Sequence, residues 1–261
     1  MLRRFFLGVV LALAGCAAPA PAIDTQARAA LAPTGTLRVG VYPGSPTSLV
    51  RDARTGQNAG IAYDMGAALG RELGVPVQVV EFSRIALVLD ALKAREVDFT
   101  FTNATEARAR DVDFAPPLVQ LELGYLVPPG SPVAAVADVD RPGSRVGVTQ
   151  GSTSQATLSR IYKSAAIVPA ASLGQAKAML QTRAIDAYAT NKGVLFELAD
   201  ELPGSRILDG RWGVESMAMA IPKGREAGMP LLRRFGQALQ AGGQLQAMIA
   251  RSGLRGTARP D

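Results

Sequence analysis

The stretch FTNATEAR, residues 101–108, ends in groups suited to holding a small anion. Thr102, Asn103 and Thr105 supply hydroxyls and an amide, and Arg108 supplies a planar donor fork that matches the two oxygens of a carboxylate or similar oxyanion. The plainer reading is a polar loop, with Asn103 as a turn residue, Thr105 as a helix cap and Arg108 in solvent. Arg108 and Arg110 are two positions apart and so face different sides of any helix they share. A second such place is GSTS, residues 151–154, where Ser152 and Thr153 stand at the head of a helical pattern. Backbone N–H groups at a helix N-terminus attract anions, and ordinary Ser/Thr capping orients those same groups. Arg84 opens another helix, either as a partner for a nearby carboxylate or as a ligand contact; Tyr42 ends the first strand, as an aromatic wall or as a common strand-end residue. Asn191 ends the strand pattern DAYATN and offers a neutral amide.

The elements that must position these residues come in two similar sets. TLRVGVY (36–42), VPVQVVEF and VDFTF read as strands, separated by the helical patterns GIAYDMGAALGRELG (60–74) and SRIALVLDALKARE. After a long extended run at 118–127, SRVGVTQ, AIVPA and IDAYAT read as strands, alternating with helices that begin at GSTS, SLGQ and NKGV. ESMAMAIPKG is extended again, and two helical patterns close the chain. Alternating strands and helices indicate parallel sheets covered on both faces. The expected architecture is α/β, with two lobes joined by crossing strands near 119–127 and 212–217. Ligands of open α/β sheets bind beyond the carboxyl ends of the strands, so the cleft between the lobes is the expected site.

Composition removes whole classes of chemistry. The 261-residue sequence has no histidine and one cysteine, so Ser-His-Asp triads, Cys-His pairs and His-based zinc sites are excluded. No cofactor or metal is expected. Met1–Arg4 and the apolar run FFLGVVLALA read as a signal peptide over 1–15, too short to span a bilayer comfortably. Cys16 follows Leu13-Ala14-Gly15, a pattern similar to the bacterial lipobox, in which that cysteine carries the lipid. Ala17, in place of an Asp, does not favour retention in the inner membrane. Residues 16–34, rich in Ala and Pro, read as a tether with no apolar period. Losing Arg3 and Arg4 with the leader brings the formal charge from +6 to +4. The basic residues are scattered and aromatics are few, so nucleic acid is not an expected partner.

The motifs together resemble family 3 of the bacterial extracellular solute-binding proteins, the polar amino-acid receptors of ABC importers. LRVGV, GIAYDMGAALGRELG with Asp64, SRIALVLDALKAREVDF, TNATEARARDVDFAPP, VGVTQGSTSQATL and IDAYATNKGVL carry the likeness in order along the chain. The resemblance implies a periplasmic-binding-protein-like type II fold, with one lobe from 35–122 and 216–255 and the other from 123–215. It further implies a monomer held to the membrane by lipidated Cys16, presenting a small solute to permease subunits. In the family the arginine matching Arg108 holds the ligand's carboxylate, and the position of Asn103 commonly carries Ser or Thr. The strand ending at Asn191 ends in the family in an aspartate that binds the ligand's α-ammonium. Asn191 supplies no such charge, and Lys192 beside it adds a positive one. The expectation is a pocket biased toward anionic ligands, unless Asp64 or Glu215 supplies the acid from elsewhere.

Two other readings fit the same fold. One is an enzyme similar to the periplasmic cyclohexadienyl dehydratases, which needs a positioned acid or base. Glu81, Glu106, Glu122 and Glu215 are available, but none sits in a catalytic motif. The other is a sensing module that keeps the two lobes without transport.

Overall fold

The computed structural model describes residues 24–51 and 55–258. The expected signal peptide, Cys16 and the first part of the expected tether lie outside those residues. The chain opens with α1 (Thr25–Leu31), β1 (Leu37–Val41), the short pair β2 (Val50–Arg51) and β3 (Asn58–Ala59), and α2 (Ile61–Leu73). It continues through β4 (Val77–Glu81), α3 (Ile85–Lys93), β5 (Thr100–Asn103) and β6 (Val112–Phe114). The long β7 (Val119–Val127) leads to β8 (Arg145–Thr149), α4 (Thr153–Ile161), β9 (Ala166–Ala170), α5 (Leu173–Gln181), β10 (Ala187–Asn191), α6 (Lys192–Asp200) and β11 (Arg206–Ile207). A second long strand, β12 (Gly213–Pro222), returns to α7 (Met229–Ala241) and α8 (Gln244–Arg251).

Strands β7 and β12 tie two α/β lobes together. They pair antiparallel where they cross, Val119–Leu123 against Gly213–Met217. Past the crossing, β12 pairs with β5 and β6 of the first lobe, while β7 pairs with β10 and β11 of the second. Within the first lobe β1 and β4 are parallel, and within the second β8 lies parallel to both β9 and β10.

Side-chain alternation along the strands sorts each lobe's core. Leu126 and Tyr188 face Leu173, Leu180 and Leu195, whereas Tyr125, Val127, Ala187 and Ala189 face the opposite side with Leu158. A glycine in β1 and another in β8 let neighbouring side chains pack directly onto those strands. A Cβ on Gly40 would lie 2.8 Å from Val88, and one on Gly147 would lie 2.4 Å from Ile185.

The lobes also share an ion-pair staple. Arg38 is the second residue of β1, and its backbone N–H and guanidinium both bond the Asp98 carboxylate, at 2.9 and 2.8 Å. Arg145 opens β8 and grips Asp186 in the same way, at 2.8 and 3.0 Å. Each aspartate precedes a strand, and five residues beyond each stands the asparagine that ends it, Asn103 or Asn191. The repeated register therefore delivers two asparagines to the strand ends that face the cleft.

Residues 24–34 depart from the expected tether. Asp24 caps α1 by accepting the Ala27 N–H at 2.9 Å, and Ala27 and Leu31 are fully buried. Their spacing of four puts them on one helical face, and Leu31 packs so close to Gly228 that a Cβ there would lie 2.4 Å away. A helix of seven residues with two buried positions is too short to show a period among so many alanines. The β2–β3 pair, β6 and β11 are likewise short elements that the sequence pattern does not announce.

Candidate functional site

The strand ends β5 and β10, the N-terminus of α4 and the middle of β12 converge on one cavity between the lobes. Its lining includes Tyr42, Thr102, Asn103, Arg108, Ser152, Thr153, Asn191 and Glu215. The space within is only about 40 Å³, room for a few waters at most. Beyond it the cleft widens to about 800 Å³ between the Pro43–Arg51 segment and Glu81–Ser83 of the first lobe and the start of α5 and the end of α6. Leu173 borders both spaces and meets Gly44 across the cleft.

Arg108 is fixed by the loop that follows β5. Thr105 Oγ1 accepts its backbone N–H at 3.3 Å, which starts the 3-10 turn Arg108–Arg110. Nη1 then donates to Thr102 Oγ1 at 2.9 Å and to the Asn103 carbonyl at 3.1 Å. Nε and Nη2 have no hydrogen-bond acceptor among the described residues. One arm of the fork is thus spent on orientation, and the remaining donors are available to an oxyanion. Burial pulls the guanidinium below its ordinary value, and the attraction of Glu215 and Tyr42 works against that shift. Although the residue as a whole keeps some exposure, its charged end is enclosed.

Glu215 faces Arg108 without forming a direct ion pair with it. It is buried on β12 at the crossing, opposite Leu121. Thr153 Oγ1 donates to its Oε1 at 2.7 Å, and Asn191 Nδ2 donates to its Oε2 at 3.2 Å. Tyr42 completes the wall; burial raises its hydroxyl, which donates to Ser45 at 3.3 Å.

Helix α4 presents its N-terminus here. Ser152 is the N-cap, accepting the Gln155 N–H at 3.1 Å, which leaves the first-turn N–H groups of Thr153 and Ser154 without intrahelical acceptors. Asn103 reaches across from the first lobe. Its Nδ2 lies 3.5 Å from Thr153 Oγ1, at the long limit of a hydrogen bond, and its Oδ1 accepts the Ser216 N–H at 3.0 Å. The lobes therefore meet through side chains over a space of only about 40 Å³.

A sequence profile of the bacterial extracellular solute-binding proteins, family 3, matches residues 37–253. The chain belongs to that family. A curated relative of this family-3 protein, the ABC transporter glutamine-binding protein GlnH of Bacillus subtilis, is 27% identical over 123 residues, 47% of this chain and 45% of that one. The membrane-bound lytic murein transglycosylase F of Shewanella oneidensis is 31% identical over 130 residues, 49% of this chain and 26% of that one. The matched stretches thus span under half and about a quarter of those relatives' lengths. Among solved structures, a mutant of ArgBP from T. maritima superposes with a TM-score of 0.78 at 20% identity, over 87% of this chain and 99% of that one. At that identity the likeness is one of fold.

Seven of the eight residues singled out in the family-3 sequence line the cavity. Arg84 does not: it precedes α3 without capping it, and its Nε is buried with no hydrogen-bond partner. Lys192 pairs with Glu122 at 2.6 Å and is not part of the lining. The alternative to a pocket without an acid holds in one respect: a carboxylate does reach the cavity. Of the two acids considered as substitutes, Asp64 is engaged by Arg251 at 3.2 Å outside the lining, while Glu215 stands inside it. Thr149, Ser154, Thr190, Ile85, Leu173, Val194 and Met217 complete the walls. The signal for Glu215 was a lone acid inside the apolar run VESMAMAIP, where a buried charge needs a purpose.

Among the described residues, no helix is long and apolar enough to cross a membrane.

Proposed function

We propose that this chain is the substrate-binding component of an ABC importer, capturing a small polar solute that bears a carboxylate. The observation that carries this reading is Arg108, held by Thr102 and the Asn103 carbonyl with its remaining donors free at a narrow polar cavity. The solute meets one lobe in the open form, and closure about β7 and β12 brings Ser152, Thr153 and the α4 N-terminus to the other side. Tyr42 and Leu173 supply apolar wall. The mature chain is a monomer anchored at the periplasmic face of a membrane through lipid on Cys16, and it delivers its solute to permease subunits.

Binding without catalysis is favoured by the state of the single acid in the lining. Glu215 accepts hydrogen bonds on both oxygens, and no second acid lies beside it to share proton transfer. The test is a thermal-shift screen with L-amino acids, dicarboxylates and phosphonates, with prephenate and arogenate assayed for turnover. A solute at a hundred times its Kd stabilises the folded state by about 2.7 kcal/mol. Saturable stabilisation without turnover supports the reading; turnover of either cyclohexadienyl substrate overturns it.

A further inference from the structure

We infer that the cationic group of the solute is held by Glu215 on the crossing strand β12, with Asn191 as its positioning residue, so that the site selects zwitterions over plain anions. The inference rests on the reading above and assigns the half of the solute that Arg108 leaves open.

The two charged side chains lining the cavity have opposite sign and stand on different walls. Arg108 comes from the loop after β5, and Glu215 from the crossing strands. They attract each other, yet make no direct ion pair, so a gap separates the fork from the carboxylate. A plain dicarboxylate placed against Arg108 would bring a second negative charge toward a buried Glu215, which is strongly unfavourable in an enclosed site. A lone cation would meet Arg108 in the same way. A solute carrying a carboxylate and an ammonium a few ångströms apart satisfies both.

The neighbours of Glu215 fit this role. Asn191 Nδ2 and Thr153 Oγ1 are neutral donors, one on each carboxylate oxygen, so they fix the acid without neutralising it. Asn191 has no freedom to turn, because its Oδ1 caps α6 through the Val194 N–H at 3.1 Å. An aspartate at 191 would put two buried carboxylates at hydrogen-bond distance, where they could not both stay ionised. An asparagine at 191 and a glutamate at 215 are therefore two parts of one arrangement.

The geometry also specifies an exchange. With Asn191→Asp and Glu215→Gln combined, the negative charge moves across a 3.2 Å hydrogen bond whose donor and acceptor simply swap. An aspartate side chain at position 191 remains a good helix cap, and the glutamine carbonyl can still accept from Thr153.

The experiment is isothermal titration and thermal shift with the twenty L-α-amino acids and their matched des-amino carboxylic acids. The wild-type protein is expected to bind at least one amino acid and to bind its des-amino analogue at least 100-fold more weakly. E215Q is expected to lose at least 100-fold for that amino acid, N191D to bind no better than E215Q, and the double variant to recover to within about 10-fold of wild type. Equal binding of the des-amino analogue, an E215Q loss under 3-fold, or no recovery in the double variant overturns the inference. Should E215Q fail to fold, Glu215→Asp and the wild-type discrimination still decide it. If only des-amino acids bind and Arg108→Ala abolishes that binding, the carboxylate reading stands and this inference falls. If no carboxylate binds at all, the underlying reading falls.

Discussion

The side-chain amide of Asn191 divides its two ends between a helix and an acid: Oδ1 accepts the Val194 N–H at 3.1 Å, and Nδ2 donates to Glu215 Oε2 at 3.2 Å. One residue thus caps α6 and steadies the carboxylate on the crossing strand. Asn191→Ala removes both bonds and is expected to lower stability by about 2 kcal/mol, part from the lost cap and part from the orphaned acceptor. Asn191→Ser keeps a capping oxygen and should lose about half as much. Urea denaturation of the three proteins checks the order; an alanine variant as stable as wild type would deny the double role.

The duplicated staple gives a comparison inside one molecule. Asp98 is fully buried, and burial pushes its carboxyl up, but hydrogen bonds from Arg38 and Arg225 outweigh that and hold it below the usual carboxylate range. Asp186 is held low chiefly by Arg145, in a far more exposed setting. Breaking the buried cluster with Asp98→Ala is expected to cost about 3 kcal/mol, whereas Asp186→Ala should cost about 1 kcal/mol or less. Both pKa values are lower in the folded than in the unfolded state. The stabilisation is therefore complete above the unfolded value of about 3.9 and fades as pH falls through the lower folded value. Denaturation midpoints between pH 7 and pH 2 should show the wild-type advantage over Asp98→Ala shrinking only at the acid end.

The order of α1 has its own test. Leu31 is fully buried against Gly228, so Leu31→Ala should lose about 3 kcal/mol. A tether would tolerate the change, and an unaltered melting temperature would show that α1 does not contribute to the first lobe.

Much of this molecule was legible beforehand because its elements repeat a strong signal. The strands LRVGV and RVGVT and the helices between them are apolar at the right spacing, and the two crossing strands are the long extended runs. Arg108 was legible as a candidate because its planar donor fork follows hydroxyls and an amide at a strand end, although the same residues also read as a solvated loop. α1 was not, since two buried side chains among alanines carry no period. Glu215 was weighed only as a substitute, because nothing in VESMAMAIP says which face of the strand meets the cleft. That depends on register across the crossing, where Glu215 lies opposite Leu121, and register is a property of the folded pair. Arg84, read from the sequence as either a carboxylate partner or a ligand contact, is not among the residues lining the cavity.

The central claim is that the Arg108 fork holds the solute's carboxylate. Titration calorimetry of the amino acid that most stabilises the wild-type protein, run against wild type, Arg108→Lys and Arg108→Ala, tests it most directly. Lysine keeps the charge but loses the paired donors, so affinity should fall roughly 10-fold to 100-fold, and alanine should abolish measurable binding. An Arg108→Ala protein that is folded and binds that amino acid as tightly as wild type would contradict the account.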